Sequence, residues 1–118
     1  MDHLALAVTD EDASRRFYER YLGFDARPAR RYPDGVLMLY DSAGFELALG
    51  VADERPSLPS FFHFGKAAAR AEDVRALRER LAVDGVLIVE WYDDPEYVSV
   101  KFSDPDGYIV QVACEPAP

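Results

Sequence analysis

One cysteine, Cys114, is the only thiol in the 118-residue chain. No internal disulfide can form, so a packed core must hold the fold, and a reducing interior is expected. Cations are also short, with 13 Lys and Arg against 22 Asp and Glu and a formal net charge of −9. Nucleic acid and anionic membrane surfaces both demand clustered Lys and Arg, so neither is expected as a partner. A cationic small molecule is compatible with this charge, although solubility alone accounts for it. No apolar run approaches the roughly 20 residues of a membrane span. The opening "MDHLALAVTD" lacks a basic leader region and reads directly as a strand, so a soluble cytoplasmic protein is expected. No Gly-rich phosphate loop and no Ser-centred elbow occurs.

What is present suits one compact α+β domain: apolar residues make up 49% and charged residues 30% of the chain. "DHLALAV" alternates His3, Ala5 and Ala7 against Leu4, Leu6 and Val8, which is strand periodicity. "TDEDASRRFYERYLGF" predicts a helix capped by Thr9 or Asp10, with Ala13, Phe17, Tyr21 and Leu22 on its apolar face and Gly23 as its stop. A meander follows to Gly50, turning at Pro33-Asp34-Gly35 and Ser42-Ala43-Gly44. In its last strand Glu46, Ala48 and Gly50 share one face. Residues 51–60, "VADERPSLPS", read as a linker between modules 1–50 and 61–115, and the tail "CEPAP" reads as a frayed end. The second module repeats the first: "FFHFG" as a strand, a helix with Val74, Leu77 and Leu81 inward and Gly85 after it, then "VLIVEWY", "YVSVKFS" and "YIVQVAC" as strands. Each module is strand, helix, three strands, a repeat of element order more than of residues.

The chain's only two histidines, His3 and His63, occupy corresponding places ahead of the two helices. Glu46 falls two residues after Gly44, and Gln111 falls four after Gly107. The offsets differ by an even number, so the two side chains share strand parity. Two imidazoles with carboxylate or amide oxygen suit a divalent first-row metal such as Zn, Ni, Mn or Fe. Each residue also has an ordinary explanation, as a polar edge histidine or a solvated strand position.

At these residues the chain resembles the vicinal oxygen chelate superfamily, which includes glyoxalase I, extradiol dioxygenases and bleomycin- or fosfomycin-resistance proteins. The likeness spans nearly the whole chain and is most specific in "HLALAVTDEDASRRFYERYLGF", "FELALG" and "FSDPDGYIVQV". The resemblance implies two βαβββ modules forming a curved mixed sheet around a cavity, commonly in paired chains, so a homodimer is expected. Carried over residue by residue, the family's metal positions fall on His3, Glu46, His63 and Gln111. The last departs from the pattern, because metal-dependent members usually place Glu there. An amide oxygen still ligates, but as a neutral and weaker donor, and it cannot act as a base.

Three functions are compatible with this reading. One is a glyoxalase-type lyase or isomerase acting on a small α-oxo compound or its thiol adduct, with Glu46 both as ligand and as base. The second is a metal-free protein that sequesters an antibiotic. The third is an extradiol-type dioxygenase, which Gln111 disfavours most. Trp91, Tyr92 and Tyr97 can line a cavity or pack in the core or an interface, and the acids Glu90, Asp93, Asp94 and Glu96 around them suit a cationic aromatic ligand or a solvated loop equally. Arg27, Arg30 and Arg31 read as a surface cluster. Cys114 has no activating neighbour in sequence and is not proposed as a nucleophile.

Overall fold

A computed structural model describes residues 1–115, and the end of the tail expected to fray, 116–118, lies outside the described residues. The chain forms two compact units, Met1–Ser57 and Leu58–Pro118. Each is a βαβββ module with a four-stranded mixed sheet. No described helix is long and apolar enough to cross a membrane.

The first module runs β1 (His3–Val8), α1 (Glu11–Leu22), β2 (Arg30–Arg31), β3 (Leu37–Tyr40) and β4 (Glu46–Val51), with strand order β1-β4-β3-β2. Asp10 caps α1 by accepting from the Ala13 amide, acids fill the first turn, and Gly23 ends the helix in the left-handed conformation at φ 70°. The buried helix residues are Ser14, Phe17, Tyr18 and Leu22, so the inward face is rotated from the expected one and Tyr21 is half-exposed. Tyr18 and Leu22 are one turn apart and pack together toward the sheet, while Tyr21 stays at the margin, edge-on to Phe17. α1 packs on β4, where Leu47 and Leu49 are buried and meet Leu6 and Val8 of β1. β2 is a stub of only two residues.

The second module runs β5 (Phe64–Ala67), α2 (Ala71–Val83), β6 (Ile88–Asp94), β7 (Tyr97–Ser103) and β8 (Ile109–Cys114), ordered β5-β8-β7-β6. Val74, Leu77 and Leu81 bury the expected face of α2 against β7 and β8. β5 begins at Phe64, later than the pattern "FFHFG" suggested. The amide of Phe62 donates to the carbonyl of Pro59, so 59–62 is a turn, with Phe61 81% and Phe62 44% exposed. Cys114 is buried at the end of β8 rather than frayed.

Both modules enter their last strand through the same turn. Asp41 Oδ1 accepts from the amides of Ala43 and Phe45, each at 2.9 Å. Asp104 Oδ1 accepts from Asp106 and Tyr108, also at 2.9 Å. Gly44 and Gly107 take the positive φ values, 84° and 90°, that the turns require.

Candidate metal half-sites

β1 and β4 pair in parallel with His3 facing Glu46, and the antiparallel β3 places Tyr40 on the other side of Glu46. These three side chains share the sheet face opposite α1. Further along that face lie Ala5, Ala7, Ala48 and Gly50, which leave it open. The His3 side chain is 74% exposed, and its Nδ1 stands 2.7 Å from Asp2 Oδ1. A carboxylate only accepts, so Nδ1 carries the proton and the Nε2 lone pair is left outward. The imidazole beside it holds the Asp2 carboxyl below its ordinary range. Tyr40 is 4% exposed, and its phenol is pushed above its ordinary pKa, first by desolvation and then by a hydrogen bond with Tyr32. It therefore stays a hydrogen-bond donor next to the carboxylate of Glu46.

In the second module His63 immediately precedes β5, and its Nδ1 donates to the Phe61 carbonyl at 2.8 Å. That bond selects the same tautomer as in His3. Gln111 pairs with Gly65 on β5 and with Lys101 on β7. Its Nε2 donates to the Tyr97 hydroxyl at 2.7 Å and to Ser99 Oγ at 2.9 Å. Both amide hydrogens are thereby engaged, and Oε1 faces the other way. His63 and Gln111 line one open cleft of about 550 Å³. His63 also lines a second, of about 400 Å³, with the Glu90–Lys101 ion pair. Gly65 is required where it stands, because a Cβ there would fall on the Gln111 carbonyl.

The structure thus brings His3 to Glu46, and His63 to the cleft of Gln111. Among the described residues no three His, Cys, Asp or Glu side chains gather. Each module alone presents two potential metal donors.

Trp91 pairs with buried Val100, under Arg78 of α2, whereas Tyr92 and Tyr97 lie on the other face of the hairpin. Asp93 is bound by Arg75, Glu90 by Lys101, and Asp94 closes the hairpin to Glu96 and Tyr97. Ser99 and Tyr40, which stand beside Gln111 and Glu46, escaped the sequence reading, and Tyr97, read there as a cavity-lining ring, holds Gln111 through its hydroxyl. The period-2 alternation in "YVSVKFS" and "LMLY" was the signal that could have found them.

A family model, the Glyoxalase/Bleomycin resistance protein/Dioxygenase superfamily, matches residues 1–112. The chain belongs to this superfamily. It is 34% identical over 112 residues to a trivalent organoarsenical cleaving enzyme from Bacillus sp. (strain MD1), across 89% of this chain and 66% of that enzyme's length. The structure resembles a possible glyoxalase from Bacillus cereus, with TM-score 0.80, 28% identity and 97% of each chain covered. It also shares the fold of a variant of the fosfomycin resistance protein FosX from Listeria monocytogenes, solved with Mn(II) and a dihydroxypropylphosphonic acid. There the TM-score is 0.77, with 18% identity, 95% of this chain and 86% of that one covered.

Proposed function

We propose that the protein is a metal-dependent enzyme of glyoxalase type, a lyase or isomerase acting on a small α-oxo compound or its thiol adduct. His3, Glu46, His63 and Gln111 are its proposed ligands for a divalent ion. One observation carries this reading. Both histidines of the chain spend Nδ1 on an oxygen acceptor and keep Nε2 bare, which is the outer-shell arrangement that orients metal-binding imidazoles. Two imidazoles, one carboxylate and one amide oxygen fit Mn, Fe, Ni or Zn. The Mn(II) held by FosX makes manganese the first ion to try.

Such an ion, when bound, polarises a substrate oxygen as a Lewis acid. Glu46 is the one carboxylate in the set and therefore the group that takes a proton from carbon; Gln111 only holds. Tyr40, opposite Glu46, offers its hydroxyl to the oxygen on which charge develops.

The other readings have less support. A trivalent arsenical seeks thiolates, and the single thiol, Cys114, is 5% exposed. A cationic antibiotic finds few unpaired acids around Trp91. The last-strand acid of a dioxygenase triad is replaced by Gln111.

The test is thermal unfolding with Mn(II), Ni(II), Zn(II) and Fe(II), followed by turnover of a methylglyoxal–thiol adduct. At about 100 times its Kd an ion bound to the folded state adds about 2.7 kcal/mol. Wild type gains this stabilisation with at least one ion, and His3→Ala does not. Equal melting of both proteins in excess of every ion overturns the proposal.

A further inference from the structure

Of the three arginines that read as one surface cluster, Arg31 is structural. Both of its terminal nitrogens grip Glu11 of α1, at 2.6 and 2.7 Å. Arg27 and Arg30 are different. The Arg27 guanidinium lies 4.2 Å from the centre of the Tyr40 ring, and that of Arg30 lies 4.8 Å from the centre of Tyr32. Neither has a carboxylate partner among the described residues, although the chain carries 22 acids to 13 bases. Tyr32 also helps to raise the pKa of the Tyr40 phenol, after desolvation. Register then fixes the face: Arg30 pairs with Met38, Met38 with Ala48, and Tyr40 with Glu46. The two cations therefore sit on the face that carries His3 and Glu46.

Stacking uses the flat side of a guanidinium and leaves its in-plane N–H fork unspent. That fork matches the paired oxygens of a carboxylate or phosphonate. A merely solvated arginine needs no aromatic seat, and in an acidic chain it readily finds a carboxylate, as Arg31 does.

We propose that Arg27 and Arg30, seated on Tyr40 and Tyr32, form an oxyanion subsite that takes the carboxylate or phosphonate of a small substrate. The inference deepens the functional reading above, because it makes that substrate an anion, but the subsite itself needs no metal.

The experiment is calorimetric titration of the metal-free protein with inorganic phosphate, methylphosphonate and pyruvate. It compares wild type, Arg27→Gln, Arg30→Gln, their double variant, Arg27→Lys, and Arg55→Gln in the exposed linker as control. Wild type and the control bind at least one probe, and the double variant binds it on the order of tenfold more weakly or worse. Arg27→Lys keeps the charge but not the fork, and falls between. Preference for pyruvate or for methylphosphonate tells which oxyanion the substrate carries. His3→Ala keeps this binding while losing stabilisation by metal, so failure of the metal proposal and failure of the subsite are read separately. Absence of binding by wild type, or equal affinity of the double variant and Arg55→Gln, overturns the subsite.

Discussion

In the first module the turn at Asp41–Phe45 delivers Glu46 to the start of β4, directly opposite His3. In the second, the matching turn at Asp104–Tyr108 delivers Ile109 to that place. The polar side chain comes two residues later, as Gln111 opposite Gly65. A repeated scaffold thus carries two different candidate half-sites. The first is charged, and its histidine is exposed. The second is neutral, recessed in a cleft, and clamped by two hydroxyls. On the proposed function, that difference would leave proton chemistry to Glu46 and positioning to Gln111.

The comparison can be broken most severely at Gly65. Because a side chain there meets the Gln111 carbonyl, Gly65→Ala should destabilise by about 3 kcal/mol in urea unfolding. Gly50→Ala should cost far less, since its added Cβ approaches nothing closer than the Leu6 carbonyl at 4.0 Å. Equal costs would mean that β8 is not held as tightly against β5 as described.

The two turns give the next effect. Asp41→Ala and Asp104→Ala each remove an acceptor for two backbone amides and should each cost about 2 kcal/mol. Near-equal losses in the same unfolding measurement support a shared device, whereas a large inequality separates the turns.

Gln111→Glu makes the second half-site charged like the first. It should tighten Mn(II) binding about tenfold by calorimetry, as ligand charge rises. Unchanged affinity would take Gln111 out of the ligand set.

The smallest effect concerns how the helices are tied. Arg31 holds Glu11 below the usual carboxylate range, first by hydrogen bonding. A lowered folded pKa favours the ionised form in the folded state. Its stability is present above the ordinary glutamate pKa and is lost as pH falls through the lowered one. Glu11→Gln should lower the melting temperature by only a few degrees at pH 7, because half-exposed pairs are screened. The gap from wild type should close as pH falls below the glutamate range. The second module ties α2 to β6 by Arg75 on Asp93 instead, so Glu11→Gln should leave Arg75→Gln's own effect unchanged.

Much of the architecture was legible because it is written in local chemistry. Period-2 alternation, the Asp10 cap, and the glycines at 23, 35, 44, 85 and 107, all at positive φ, mark the elements. The start of β5 was misjudged because "FFHFG" is apolar throughout, while a turn closed by the Pro59 carbonyl decides where pairing begins. The rotation of α1 was missed because Tyr18 and Tyr21 are chemically identical, and only packing on the sheet chooses between them. At the half-sites, parity placed Glu46 and Gln111 on the right faces. Register, a property of two strands at once, decided that Glu46 meets His3 while Gln111 meets Gly65. The seats of Arg27 and Arg30 depend on a two-residue strand and on ring stacking, and neither leaves a periodic trace in the sequence.

The most direct measurement is a Mn(II) titration of wild type, His3→Ala and His63→Ala, read by the loss of free-ion paramagnetic resonance signal. One tightly bound ion per chain in wild type, and tight binding lost in each single variant, is the result predicted if both histidines are metal ligands. If either variant binds Mn(II) as wild type does, that histidine is not a ligand and the account is wrong.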